Sequence, residues 1–350
     1  MMRKNILRIT LMLFISITIY SCSSTNSLTI RVTEPAPVYI PSTVKSVGIV
    51  NRSLPAENNK AVDNIDKVLS IEGKNMDKDG ANSSILGLRD ELQNMNRFIT
   101  VKIIENADVN SGAFNSFPAP ITWDKVDKIC KANKVDALFV LSYYDTDTNI
   151  GYSTNPIEIA GPLGVKIPAI ETEANVNTLV KTGWRIYDQT NKVIADEYIQ
   201  NENIQTVGRG INPLKAIEAI VGRKEAVLQV SNNIGHNYAL RIVPYNIRVD
   251  RIYYVRGTDN FKIGKRRAQA GNWDGAAELW EKEVSNPKGK IAGRACYNMA
   301  IINEINGDLD KAVEWATKSY TDYKNKNGLY YINILKNRIN KNIQLEQESR

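Results

Sequence analysis

Residues 136–144 read DALFVLSYY, a nearly unbroken apolar run. A run this short suits a strand better than a helix, and its continuity predicts a strand covered on both faces rather than one. Its neighbours support that reading. Just upstream, TWDKVDKICKAN (122–133) places Trp123, Val126, Ile129 and Cys130 on one helical face, with Thr122 in position to cap the N-terminus. Further back, VKSVGIV (44–50) reads as a second buried strand. Apolar strands separated by amphipathic helices predict a mixed α/β domain.

The pattern continues outward. SSILGLRDELQNM (83–95) has helical periodicity, and FITVKII (98–104) reads as a strand. LVKTGWRIYDQTNKVIADEYI (179–199) reads as a hairpin turning at DQTNK, where Asn191 suits a positive φ. A helix is predicted from about Lys224 to Ile242, ended by Pro244, with a strand over 245–255. Near the start, Leu28, Ile30 and Val32 alternate with Thr29, Arg31 and Thr33, which predicts a half-buried strand, and Pro35, Pro37 and Pro41 punctuate an extended connection. Residues 28–255 therefore read as one α/β domain, a mixed sheet with helices packed in two or three layers. Within it, GYSTNPIEIAGPLGVKIPAI (151–170) is long and rich in Pro and Gly, and reads as a loop. It lacks the clean alternation of a barrel strand.

The last hundred residues follow a different rule. AGNWDGAAELWEKEVSNP (270–287) and NGDLDKAVEWATKSYTDY (306–323) align with Gly271 on Gly307, Asp274 on Asp310 and Ala276 on Ala312. Glycine closes one helix and lets the chain reverse, and the small alanine lets the next helix approach closely. Ahead of the second glycine, RACYNMAIINEI carries Ala300 at the close-packing position. This pattern resembles the tetratricopeptide repeat. It predicts an all-α, tetratricopeptide-like domain over 256–350, closed by a helix over 328–346. Two repeats are fewer than such arrays need alone, so this part should dock on the α/β domain or pair with another chain, including a second copy.

The N-terminus gives an address. Met1 to Arg8 is basic, Ile9 to Tyr20 is apolar but too short to span a bilayer, and Ile19-Tyr20-Ser21-Cys22 follows. This resembles the lipobox of bacterial lipoproteins, although Tyr20 is bulkier than usual at its position. The resemblance implies a signal peptide over 1–21, cleavage before Cys22, lipid attachment at Cys22 and a lipidated tether over 22–27. Ser23, with no acidic residue beside it, implies the outer membrane, facing the periplasm or else exposed at the cell surface. Several acyl chains would hold the protein stably to the membrane.

A looser resemblance covers residues 44–200. VKSVGIV, LRDELQNMNRFITVKIIE, KANKVDALFVLSYY and WRIYDQTNKVIADE follow one another as in the periplasmic domain of the curli-secretion lipoproteins. The whole chain, including EPAPVYIPSTVKSVGIVNRS, resembles an uncharacterised family of envelope lipoproteins defined only as a domain of unknown function. That resemblance implies no activity. The first implies an oligomeric, secretion-associated lipoprotein as one alternative role.

The side chains that carry chemistry are sparse. His236 is the only histidine, which excludes two-histidine zinc motifs. It lies off the apolar face of its helix and reads as solvated. There is no G-x-S-x-G elbow and no phosphate-binding loop. DTDTN (145–149) offers Asp145 and Asp147, the one place for a metal-dependent or hydrolytic site. Yet Ile150 stands where a calcium loop needs Gly, and Pro156 where it needs Glu. Cys130 and Cys296 sit at apolar helical positions and read as buried thiols rather than a disulfide. The formal charge of +7 falls to +4 once Arg3, Lys4 and Arg8 leave with the signal peptide, too little to indicate nucleic acid. Arg251, Arg256, Lys262, Lys265, Arg266 and Arg267 gather near the domain junction and read as a solvated helix face, the functional alternative being contact with an acidic partner or anionic headgroups. The expected protein is a non-enzymatic, lipid-anchored envelope module. It needs no cofactor or metal, and its helical repeat binds a protein partner.

Overall fold

The computed structural model describes residues 24–53, 76–105, 107, 109, 117–160, 164–220 and 222–349. Cys22, the signal peptide and the start of the tether lie outside the described residues. The described residues form two compact units: those within Ala36–Val243, and those up to Pro35 together with Pro244–Ser349.

The first unit is built on a five-stranded sheet. Its strands are β2 (Ser46–Asn51), β3 (Thr100–Ile103), β4 (Ala137–Ala160), β5 (Lys166–Asp188) and β6 (Val193–Gly210). The order is β3-β2-β4-β5-β6, with β3, β2 and β4 parallel and β4, β5 and β6 antiparallel. The DALFVLSYY run fills the start of β4, the central strand, and is buried throughout Ala137–Tyr144. Helices α1 (Met76–Asn94) and α4 (Arg223–Ala239) cover one face through Val47, Ile49, Phe139, Leu141 and Trp184. Helix α2 (Trp123–Asn133) covers the other through Val50, Leu138, Val140 and Tyr187. Three layers therefore enclose this end of the sheet, which is why β4 is apolar on both faces there. Cys130 is buried in the α2 layer as an unpaired thiol, its pKa raised to about 12 by burial.

Helices α1 and α4 touch backbone to backbone. A Cβ at Gly87 would sit 2.0 Å from the Asn232 carbonyl oxygen, and one at Gly235 would sit 1.9 Å from that of Ser84. Ser83 Oγ donates to the Leu228 carbonyl at 2.7 Å across the same seam. Beneath it, Trp184 stacks on Tyr238 at 4.8 Å between ring centroids, and Tyr198 stacks on the same tyrosine at 6.1 Å.

Three expectations change here. Residues 151–170 are not a loop. Except for 161–163, which lie outside the described residues, nearly all of this stretch is the paired end of β4 and β5, in register from Ile150↔Val176 to Ala160↔Lys166. β6 stops at Gly210 opposite Thr172, so beyond that point the hairpin is a two-stranded ribbon in which each strand is an edge. Pro156 and Pro168 are tolerated there because a missing N–H can face outward on an edge. Second, the positive φ in the β5–β6 turn falls on Lys192 (56°), not Asn191. Asp188 accepts from both the backbone and side-chain nitrogens of Asn191, at 3.0 and 2.7 Å, and this Asx-type tie moves the left-handed position one residue on. Third, a short helix, α3 (Pro213–Glu218), follows β6, capped by Asn212.

The second unit opens with β1 (Thr25–Glu34), paired antiparallel with β7 (Tyr245–Tyr254) as a two-stranded ribbon. The division between units thus falls before β7, at 243/244, rather than after it at 255. β1 starts three residues earlier than side-chain alternation suggested, because main-chain pairing continues to Thr25↔Tyr254. Five helices follow: α5 (Asp259–Gln269), α6 (Trp273–Glu281), α7 (Gly289–Ile305), α8 (Leu309–Thr321) and α9 (Lys326–Ser349). The two aligned segments adopt the same local structure. Gly271 and Gly307 take φ of 80° and 83°, and Asn272 and Asp308 each cap the helix that follows. Ala276, Ala300 and Ala312 are fully buried. Asn298 of α7 ties the ribbon to the helices, accepting from Tyr254 N at 2.7 Å and donating to Tyr254 O at 2.8 Å. Cys296 is buried and unpaired, as expected.

Candidate binding groove

A concave surface of the second unit lies between the β1/β7 ribbon and α9 and encloses about 470 Å³. The ribbon alternates, so Val32, Ile247 and Val249 point to one side together with Arg251. Helix α9 supplies a stripe at helical spacing: Tyr330, Asn333, Ile334, Asn337, Arg338 and Lys341. The adjoining stripe, with Tyr331 and Leu335, is buried among the other helices.

Beneath the floor of the groove, behind Arg251 and Arg338, is a buried carboxylate. Glu304 of α7 accepts from Arg251 through two bonds, Nε to Oε2 at 2.8 Å and Nη2 to Oε1 at 2.9 Å. Arg338 Nη1 adds a bond to Oε1 at 2.7 Å, and the Tyr331 hydroxyl donates to Oε2. Burial alone would raise the Glu304 pKa. The bonds from Arg251, Tyr331 and Arg338 outweigh it and hold the carboxyl below its usual range, so Glu304 is ionised. Two arginines thus meet one carboxylate, and the floor carries one net positive charge. On the rim, Lys341 and Glu34 neutralise each other at 2.5 Å.

The residues singled out from sequence are dispersed. Asp145 and Asp147 lie on the open face of β4, where the Lys181 ammonium sits against both, 3.4 Å from Asp145 and closer to Asp147. A cation from the protein already occupies the place a metal would take, and no group of three or more potential metal-binding side chains assembles among the described residues. Burial and Asp145 raise the nearby Tyr143 hydroxyl to about 12, which suits a hydrogen-bond donor better than a base. His236 is half exposed and meets Glu91 at 3.0 Å. The basic run near the junction separates: Arg251 turns into the groove, Lys262 pairs with Asp259 at 2.9 Å, and Arg267 donates to Gly275 O at 2.6 Å.

Glu304, Tyr331 and Arg338 are not marked out in the sequence, because no motif joins residues 251, 304, 331 and 338. One signal was present. Glu304 is the sole charged residue in ACYNMAIINEI, and a carboxylate in so apolar a stretch needs partners.

The fold and groove define a two-part protein: a mixed α/β sheet unit and a helical unit that carries a cleft. The chain belongs to the family DUF8603, a domain of unknown function, whose profile matches residues 44–254. A second domain of unknown function, DUF6340, matches residues 262–337. No curated protein matches the chain. Among solved structures it is similar to a PelC dodecamer from Paraburkholderia phytofirmans, with 9% identity and a TM-score of 0.26 over 62% of this chain and 98% of that one. A single-residue variant of that dodecamer gives 9% and 0.22 over 61% and 98%. A neuraminyllactose-binding hemagglutinin homolog from Helicobacter pylori gives 11% and 0.20 over 59% and 84%. Scores this low fix no shared role.

Proposed function

We propose that this protein is a non-enzymatic, lipid-anchored module of the cell envelope whose helical unit binds a protein partner. The observation that carries the reading is the groove, an open cleft with aliphatic walls and a charged floor beside two helical hairpins of tetratricopeptide-like register. Lipid attachment at Cys22 supplies the anchor in this reading, at the outer membrane facing the periplasm. Only two residues separate Cys22 from β1, so the folded units work close to the bilayer. The test is a photo-crosslinking residue placed at Tyr330 in cells, read by mass spectrometry, beside a chain lacking 256–350. Absence of a protein adduct, with unchanged associations after the deletion, would sink the reading. Cys22→Ser should release the protein from membranes.

The β4–β5 ribbon favours a second reading, a homo-oligomeric, secretion-associated lipoprotein. Its end exposes Ile159, Val165, Ile167 and Ile170, with Ile159 and Ile167 directly paired across the two strands, aliphatic surface that a partner copy could cover. Ring-shaped assemblies in detergent that disappear when 155–171 is shortened would support it.

A further inference from the structure

We propose that the groove between the ribbon and α9 binds an extended peptide in which a carboxylate lies next to an aliphatic side chain, with Arg338 receiving the carboxylate. The inference rests on the protein-binding reading above and names the chemistry of the partner.

Charge sets the first requirement. Arg251 spends its bidentate face on Glu304, but Arg338 gives Glu304 a single bond from Nη1. The Nε and Nη2 groups of Arg338 take no partner among the described residues. Its side chain is 19% exposed and lines the groove. A guanidinium with an open edge, in a cluster with one unbalanced positive charge, is matched by a second carboxylate, which it can hold through two parallel bonds. Because Glu304 is anchored from three sides, a ligand carboxylate completes the cluster instead of competing for it.

The walls set the second requirement. Val32, Ile247, Val249 and Ile334 offer aliphatic surface within the same cleft, so the carboxylate should be accompanied by an apolar side chain. The form of the ligand follows from the helix wall. Asn333 and Asn337 are exposed carboxamides one turn apart. Four helical residues advance about 6 Å. Two residues of an extended chain advance about 6.6 Å. The two carboxamides therefore match alternate peptide groups of a strand running along α9. A fatty acid would satisfy the charge but would leave both carboxamides unused. It would also leave a flank of its chain in water, since Tyr330 on the rim is 71% exposed.

The experiment uses the full-length protein in detergent and an array of fluorescein-labelled hexapeptides. These alternate Val and Ser and carry one Glu, Gln or Lys at each position in turn. Anisotropy should show the best Glu peptide binding about tenfold tighter than its Gln counterpart, the ratio expected of one charge-assisted pair. Arg338→Gln should reduce that ratio to near one. Should Arg338→Gln misfold, the double variant Asn333→Ala with Asn337→Ala, which alters only exposed side chains, should weaken the Glu peptide at least severalfold. Equal affinity for Glu and Gln peptides, no binding by any peptide, or an unaffected double variant would overturn the proposal. So would dodecanoate displacing the best peptide from a tighter site. The Tyr330 adduct separates the two readings. If it persists while the array shows no charge preference, only the ligand chemistry is wrong. If it is absent along with any effect of deleting 256–350, the protein-binding function fails as well.

Discussion

The same three strands, β4, β5 and β6, meet two environments. At one end helices cover both faces around β4, and Ala137–Tyr144 and Gly183–Asp188 are buried without interruption. At the other end one face is bare. Along β5, Thr172, Ala174, Val176, Thr178 and Val180 remain buried, while Glu173, Asn175, Asn177, Leu179 and Lys181 between them do not. Opposite these, β4 shows Asp145, Asp147 and Asn149, and β6 shows Asn201, Asn203 and Gln205. From Thr172 to Asp188, β5 is paired on both sides, and the two register shifts, at Leu141/Tyr143 and Ile186/Tyr187, fall at the enclosed end, so loss of pairing does not explain the bare face. What differs is cover, and cover determines which residues each face can carry.

If cover carries the stability, the largest losses should come from the enclosed end. Trp184 is fully buried and stacked on Tyr238, itself fully buried. Trp184→Ala should cost about 3–5 kcal/mol in chemical denaturation. A loss under about 1 kcal/mol would mean that the two ends are not energetically distinct. The α1–α4 seam comes next. Gly235→Val places methyl groups where the Ser84 carbonyl already sits, and separating the helices should cost about 1–3 kcal/mol. Gly222, with open space around the position of its absent Cβ and φ of 78°, is the control: Gly222→Ala tests backbone strain without a clash.

Asp136 gives an intermediate effect with a pH signature. At the start of β4, its Oδ2 accepts from Ser46 N at 2.8 Å, Ser46 Oγ at 2.7 Å and Lys45 N at 3.0 Å, tying β4 to β2. Burial pushes its pKa up, but the Ser46 and Lys45 bonds push it down further, and the result lies below the usual carboxylate range. A pKa depressed on folding means a contribution that is fully present above the unfolded value of about 3.9 and is lost as pH falls through the folded value. Asp136→Asn should cost about 1–2 kcal/mol at neutral pH. The gap between variant and wild type should close on acidification below about pH 4. A constant gap would mean that the aspartate works through shape alone.

Much of the enclosed end was legible in the sequence because cover leaves a compositional trace. DALFVLSYY suits a strand with apolar material on both sides, and TWDKVDKICKAN announces the helix that supplies one of them. The helical unit was legible because its turns need specific residues, and Gly271, Gly307, Asn272 and Asp308 meet those needs. The open end left a weaker trace. Gly151, Pro156 and Pro168 are breakers in an enclosed strand but acceptable on an edge, and nothing local states which applies. The Glu304 cluster was hidden for another reason: its members come from one strand and two helices and meet only when the ribbon and helices assemble.

The smallest effect expected is also the one that separates a chemical site from an ordinary sheet surface. Asp147 is 63% exposed, and its ion pair with Lys181 lies on the uncovered face. Exposed pairs of this kind contribute less than about 1 kcal/mol, so Asp147→Ala should barely move a denaturation midpoint. A metal site would behave differently. Removing one of two carboxylate ligands would abolish a calcium-dependent rise in stability, because a ligand bound only by the folded state adds its binding energy to folding. The paired arrangement predicts no such rise in wild type, since Lys181 competes directly for both carboxylates. The informative variant is therefore Lys181→Ala, which leaves Asp145 and Asp147 facing each other uncompensated. If millimolar calcium stabilises wild type, the bare face hosts a site and the contrast between the two ends is one of function as well as cover. If calcium stabilises only Lys181→Ala, the lysine is the cation that the sequence pattern had left unnamed.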